Sequence, residues 1–275
     1  MMTNILKRTD PAWLDKQYAS PSNLEDRVAL HRVCGSDAGK WYEWVFDQMK
    51  QVIPPTEKSR LLEIGGGSGN IWIQNHHLIP PNWEIFFTDR SEGMVTAASA
   101  ALSQNAQFHF SVLDASQVFP FVSGSFDIVV ANHVLYHIEK LDECLGEIRR
   151  VLTDAGVLFA TCTGKQHMQQ LYEWLHEFEP SVPAFVSRHM NMQDGKAILE
   201  KYATSVDVIM PASQLTITEE HIPLLVRYAY SIDEVKQHVG EENKRQLHDF
   251  FIQKLQEQQG TLVIPKEEGL FIAKK

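Results

Sequence analysis

The sequence predicts an α/β fold, a doubly wound and mostly parallel sheet with helices on both faces, and three observations carry that prediction. Short apolar runs alternate with helix-period segments over roughly a hundred residues, the pattern of repeated βαβ units. The first run, Leu61-Leu-Glu-Ile64, empties into a turn with glycine at 65, 66, 67 and 69, where missing Cβ atoms let the backbone bend sharply and a ligand approach. The next acidic residue to end a strand-like run is Asp89. A carboxylate about twenty residues beyond such a turn is where a doubly wound fold holds a ribose through its hydroxyls. A nucleoside-bearing cofactor, bound at the carboxyl ends of the strands, is the first expectation.

Each element follows from its own pattern. Residues 23–51 have helical spacing, with Leu24, Val28, Leu30 and Val33 in one stretch and Trp41, Trp44, Val45 and Met49 in the next, broken between Gly35 and Gly39. Pro54-Pro55 marks a boundary. Residues 60–65 read as a buried strand and 68–77 as a helix with the Ser68 hydroxyl at its cap. A strand over 83–88, a helix over 91–102, and strands over 107–113 and 126–131 follow. The clearest amphipathic helix is 139–152, with Leu141, Cys144, Leu145, Ile148 and Val151 on one face and Asp142, Glu143, Glu147 and Arg149 outside. A fifth strand covers 157–162. Beyond Gly164 come an aromatic-rich helix around Trp174, a Pro-bounded loop through Pro180 and Pro183, and a helix at 195–202. A strand at 206–210, helices over 220–239 and 241–259, and a last strand from Gly269 complete the chain.

Composition narrows the function. At 275 residues the chain suits one large domain with insertions or two modest ones, and a 44% hydrophobic share suits an ordinary core. No apolar run approaches the eighteen or more residues of a membrane span, and no apolar stretch follows the basic pair Lys7-Arg8. A soluble, cytoplasmic protein without a membrane partner is expected. Cys34, Cys144 and Cys162 are odd in number and far apart, which leaves neither a disulfide framework nor a zinc pair to read. With 35 acidic against 25 basic side chains, a net charge of −10, nucleic acid is a poor partner, and small molecules become the default substrates.

Glycine spacing separates the nucleosides. A dinucleotide pyrophosphate requires G-x-G-x-x-G, and the third glycine's place is taken by Asn70. The run from Glu63 to Gly69 instead reads E-x-G-x-G-x-G and resembles the first motif of the class I S-adenosylmethionine-dependent methyltransferases. The resemblance extends over about 60–164. Phe86-Phe-Thr-Asp-Arg-Ser-Glu-Gly-Met94 is similar to the family's second strand and turn, which implies that Asp89 takes the ribose hydroxyls, that Arg90 flanks the adenine and that Met94 is a cofactor contact. Val112-Leu-Asp-Ala-Ser-Gln-Val-Phe-Pro-Phe121 resembles the segment that reads the adenine edge, implying Asp114 and the Ala115 amide. Phe126-Asp-Ile-Val-Val-Ala-Asn-His-Val-Leu-Tyr-His137 matches the fourth strand and its exit, placing Asn132 and His133 nearest the reaction. Glu63, Gly65, Gly66, Gly67 and Gly69 complete the implied set, and the cofactor implied is S-adenosyl-L-methionine. The resemblance also implies a seven-stranded sheet. Residues 30–46 resemble, more weakly, the helical lid of some small-molecule members, with Gly39-Lys40 where Tyr-Gly would precede the first Trp. The organisation expected is therefore a lid over 1–55, a cofactor-binding core over 56–164, and helical insertions with the last two strands of the same sheet over 165–275.

Methyl transfer from a sulfonium is an in-line displacement in which positive charge disappears, so the main demand is alignment of nucleophile and methyl. Where the acceptor carries a proton, a neutral histidine can remove it. His133 and His137 are the candidates, with Tyr136 as an orienting donor. The two histidines lie four apart, a spacing a metal could use on a helix, but neither an H-E-x-x-H nor a third ligand accompanies them, and no metal is expected. Trp174, Phe178, Phe185 and Tyr228 suggest an apolar or ring-bearing acceptor. Asn132-His-Val-Leu135 does not resemble the [DN]-P-P-[YFW] of nucleic-acid amine methylation. A protein methyltransferase, a nicotinamide-dependent oxidoreductase and a non-catalytic adenosyl-cofactor-binding protein remain the alternatives.

Overall fold

The computed structural model describes residues 9–10, 12–14, 18, 22–37, 40–53, 58–183 and 189–275. Helices α1 (Ser22–Cys34) and α2 (Trp41–Val52) come first, separated after Gly35, whose amide closes α1 by donating to the His31 carbonyl at 2.9 Å. Gly39, Pro54, Pro55 and Phe185 lie outside the described residues. The alternating core then runs β1 (Ser59–Glu63), α3 (Asn70–Gln74), β2 (Trp83–Asp89), α4 (Glu92–Leu102), β3 (Phe108–Val112), β4 (Phe126–Asn132), α5 (Leu141–Val151) and β5 (Leu152–Thr163). After it come α6 (Gln169–Phe178), α7 (Gly195–Leu199), β6 (Ser205–Ile209), β7 (Ser213–Ile217), α8 (Ile222–Tyr230), α9 (Asp233–Val239), α10 (Lys244–Glu257), β8 (Leu262–Lys266) and β9 (Glu268–Lys274).

Seven strands form one sheet in the order β3-β2-β1-β4-β5-β9-β6. The first five are parallel and β9 runs antiparallel to both of its neighbours. Leu61, Leu62, Val129 and Val130 are buried because helices cover both faces of these central strands, which is why β1 and β4 read as unbroken apolar runs. One face packs on Cys144, Leu145 and Ile148 of α5, the other on Phe46 and Met49 of α2, Trp72 of α3 and Ala98 of α4. Strand order reverses between β1 and β4, which opens a crevice at their carboxyl ends.

A third core lies outside the sheet. Leu30 of α1 packs with Leu171 of α6, Leu225 of α8 and Phe251 of α10, closed by Leu215 and Ile264 of a separate β7–β8 ribbon. The N-terminal helix α1 therefore belongs to the same core as the C-terminal insertions.

Two sequence expectations are corrected. The helix expected over 68–77 is only Asn70–Gln74, capped not by Ser68 but by Gly69 at φ +83° with no side-chain cap bond. The turn has to finish left-handed, which glycine does at least cost, and the Ser68 hydroxyl instead accepts from Asn70 Nδ2 at 3.1 Å. The helix expected over 220–239 breaks at Ser231, whose hydroxyl donates to the Tyr228 carbonyl at 2.6 Å before an extended Ile232 starts α9. No element was expected over 213–217 or 262–266, where the β7–β8 ribbon forms. Among the described residues no helix is long and apolar enough to cross a membrane.

Candidate functional site

A cavity of about 550 Å³ runs from the glycine turn beneath α1 to the β8–β9 junction. Its floor at one end is the turn itself. The Gly66 amide donates to the Thr88 carbonyl at 3.0 Å and the Gly67 amide to Asp89 Oδ2 at 2.8 Å, which pins the turn to the end of β2. A Cβ at Gly66 would stand 2.4 Å from the Phe87 ring, so only glycine fits between β2 and the cavity. Gly65, Gly66 and Gly67 line the space, while Gly69 does not. A Cβ on Gly69 would instead meet Ala98 and Leu102, so its role is the close approach of α4.

Two carboxylates flank the turn. Glu63, buried at the end of β1, accepts a hydrogen bond from Trp72 Nε1, and burial pushes its carboxyl up to about 8 against the opposing effect of that bond. Asp89 accepts from the Ser91 amide through Oδ1 at 2.8 Å as well as from Gly67. Burial raises its carboxyl, opposed by the backbone amides of Ser91, Gly67 and Arg90. The cap of α4 is Ser91, whose hydroxyl accepts from the Met94 amide at 3.3 Å, so Asp89 is left facing the cavity with acceptor positions to spare. Arg90 and Met94 line the same end, as do Asp114 and Ala115. Asp114 fixes its own loop by accepting from the Ser116 amide at 2.9 Å.

At the exit of β4 the backbone is strained. His133 has φ +55°, held by its amide donating to Thr161 Oγ1 at 2.9 Å, and the Thr161 hydroxyl in turn donates to Asn132 Oδ1 at 2.5 Å. A non-glycine residue in this region costs about 1–3 kcal/mol and marks a position the surroundings over-determine. The consequence is that the His133 ring lies against Trp41, centroids 5.5 Å apart. Tyr136 and His137 follow in the 3₁₀ turn Leu135–His137 with rings 4.6 Å apart, and His137 Nε2 lies 3.1 Å from the Tyr18 hydroxyl. Tyr18, Trp41, Asn132, His133, Tyr136 and His137 border the cavity, and Thr161 does not.

Sequence reasoning missed the far end. His31 of α1 stacks on His167, centroids 6.0 Å apart, with Tyr228 edge-on at 5.7 Å. Lys266, its side chain 2% exposed, places Nζ 2.5 Å from Glu268 Oε1 and 3.8 Å from Asp37 Oδ2. Burial lowers the His31 imidazole to about 3, reinforced by the charges of Lys266, His133 and Arg27, and burial raises the Glu268 carboxyl despite Lys266. The available signal was the period-two run Leu262-x-Ile264-x-Lys266, which turns Lys266 to the buried face of β8. Of the insertion aromatics, Tyr228 lines the cavity, but Trp174 is core and Phe178 packs on Phe250 at 5.3 Å. Trp41 and Tyr42 reach the cavity as well, and Trp44 packs behind Trp41.

Residues 62–160 match the family model of the methyltransferase domain. The chain carries a class I S-adenosylmethionine-dependent methyltransferase domain, and S-adenosylmethionine is the cofactor of that class. A thiol S-methyltransferase of Homo sapiens is 28% identical over 145 residues, covering 50% of this chain and 56% of that protein. The chain thus spans about half the length of that relative. The fold is shared, at 19% identity and a TM-score of 0.59, with Haemonchus contortus phosphoethanolamine N-methyltransferase 2 in complex with S-adenosyl-L-methionine, over 99% of this chain and 60% of that one. It is shared equally with the [4+2]-cyclase SpnF, at 16% identity and a TM-score of 0.59, over 95% and 96% of the two chains.

Proposed function

We infer that the chain transfers a methyl group from S-adenosylmethionine to a small-molecule acceptor. The observation that carries this reading is the continuity of one roofed cavity from the glycine turn to Lys266, with a volume inside the usual range of small-ligand sites. S-adenosylmethionine supplies an electrophilic methyl carbon on a sulfonium when bound. The residues present fit it: a turn that a Cβ would fill at Gly66, a carboxylate at Asp89 suited to ribose hydroxyls, and Glu63 and the β4 exit beside them. Arg90, Met94, Asp114 and Ala115 flank the adenine in this reading, and Asn132 and His133 border the reacting end.

The chain's own work is alignment and exclusion of water, which can supply roughly 7–11 kcal/mol of a barrier. Trp41 and the His133 ring form an aromatic wall suited to a cation. His137, Tyr136 and His133 orient the acceptor, and a histidine takes a proton only if the acceptor brings one. A small-molecule substrate is in keeping with the named relatives, and the three buried, free thiols suit a reducing cytoplasm. Calorimetric titration with S-adenosylmethionine, S-adenosylhomocysteine and NAD tests the reading. Binding of both adenosyl compounds but not NAD is expected; binding of NAD alone, or of neither adenosyl compound, rejects it.

A further inference from the structure

Resting on the methyl-transfer reading, the charges and hydrogen-bonding atoms at the far end of the cavity narrow the acceptor's chemistry. Lys266 of β8 and Arg27 and Arg32 of α1 line the cavity, and the first two are held in place by Glu268 and Ser231 respectively. Lys266 is buried, with its Nζ 2.5 Å from Glu268 Oε1 and 3.8 Å from Asp37 Oδ2, the second beyond hydrogen-bond distance. Arg27 is held by its Nε and Nη2, both 2.9 Å from Ser231 oxygens, and has no carboxylate partner among the described residues. The facing carboxylates are Asp37 and Glu268; burial pushes the Glu268 carboxyl up, and its contact with the Lys266 ammonium opposes that. His31 stays neutral beside them, so an ammonium arriving here would add a further cation to a region already positive at that ring.

Hydrogen-bonding capacity agrees at one donor. Trp41 Nε1, Thr163 Oγ1, His31 Nδ1 and Glu268 Oε1 are buried without a hydrogen-bond partner among the described residues and all four residues line the cavity, but of these atoms only the Trp41 indole N–H is restricted to donating and has no ion partner that could satisfy it. An indole N–H can only donate, and a buried donor left unpaired costs about 1–3 kcal/mol. An ammonium offers it nothing, whereas an anionic group offers lone pairs. The flat walls formed by the His31–His167 stack and the edge-on Tyr228 suit a planar body.

We propose that the acceptor is a small organic anion, a carboxylate or a thiolate, docked with its charged group on the Lys266 ammonium and its body against the ring surface formed by His31, His167 and Tyr228. Lys266 is then a specificity-determining residue. The test is calorimetric titration of benzoate, thiophenolate and benzylamine into the chain, both free and saturated with S-adenosylhomocysteine. At least one anion binds about tenfold or more tighter than benzylamine. The charge-balanced double variant Lys266→Met with Glu268→Gln loses that preference by about tenfold or more, Lys266→Arg keeps most of it, and S-adenosylhomocysteine affinity stays within about twofold in both. Tighter binding of the amine, equal binding of all three probes, no binding of either anion, or an anion preference untouched in the double variant overturns the proposal. The wild-type titration decides alone if that variant does not fold. Absence of adenosyl binding with anion binding intact would sink the methyl-transfer reading and leave the anion site standing.

Discussion

Asp89 holds the Gly67 amide: its Oδ2 accepts that N–H at 2.8 Å while Oδ1 accepts the Ser91 N–H at the same distance. One carboxylate thus ties the glycine turn to the first turn of α4 and still borders the cavity, so in the proposed reading cofactor affinity and local rigidity share a single side chain.

Replacing it separates the two. Asp89→Asn keeps one acceptor but sets an amide N–H against one of the two backbone donors. Hydrogen bonds to charged groups are worth about 1.5–3 kcal/mol, so affinity for S-adenosylhomocysteine falls by about 10–100-fold in calorimetry. Asp89→Ala also lowers the melting temperature of the free chain, because two part-buried amides lose their acceptor. Unchanged affinity in both variants would show that the ribose is held elsewhere.

Glu63 gives the site a pH signature. Its ordinary value is about 4.3, and burial lifts it to about 8 in the folded chain, against the opposing Trp72 hydrogen bond. The folded state therefore holds a proton that the unfolded state releases. Its contribution to stability is complete below about 4.3 and is lost progressively as pH rises to about 8. Glu63→Gln, the neutral isostere, removes this loss, so the variant gains melting temperature over wild type between pH 6 and 9 and not at pH 4. Binding of a cationic cofactor beside Glu63 also favours the carboxylate, so wild type releases a proton on binding at pH 7 and Glu63→Gln does not. Calorimetry in buffers of different ionisation enthalpy reads the difference.

His137 is tied to Tyr18 at 3.1 Å and to the Tyr136 ring at 4.6 Å, a wall rather than part of the cofactor cradle. His137→Ala is expected to lower kcat about tenfold, within the range for one positioned acid–base or orienting group, while the dissociation constant for S-adenosylmethionine stays within about twofold. Parallel loss in the rate and binding assays would reject this division of roles. Tyr18→Phe should reproduce part of the rate loss.

The legible parts of the chain are those where local pattern and tertiary role coincide. β1 and β4 are apolar because both faces are covered, and α5 shows its stripe because it packs on only one side. The glycine turn, Asp89 and the β4 exit were legible because backbone conformation and ligand approach demand particular residue types there. Lys266 was not, since Lys266-Glu-Glu reads as a solvated turn until β8 pairs with β7 and rotates it inward. His31 was hidden for a related reason: its neighbours come from α8 and the loop after β5, far away in sequence. No local periodicity reports which distant element a helix will meet, and α1 joining the insertion core is a contact of that kind.

That contact carries the last prediction. Three polar ties fasten α1 to the α8–α9 segment: Arg27 to Ser231 at 2.9 Å, Asp26 to Arg227 at 3.1 Å and Asn23 to Lys236 at 3.0 Å. The Asp26–Arg227 pair is largely solvated, and such pairs contribute about 0–1 kcal/mol. The Arg27–Ser231 contact is part-buried, and Ser231 also terminates α8 through Tyr228. Ser231→Ala therefore loosens the roof more than Arg227→Ala does. The expected result is faster amide hydrogen exchange over residues 22–34 in Ser231→Ala, with β1 and β4 unchanged, and quicker dissociation of S-adenosylhomocysteine in stopped flow. If exchange in α1 and in β4 accelerated together, the ties would be serving global stability and the roof would not move as a separate unit.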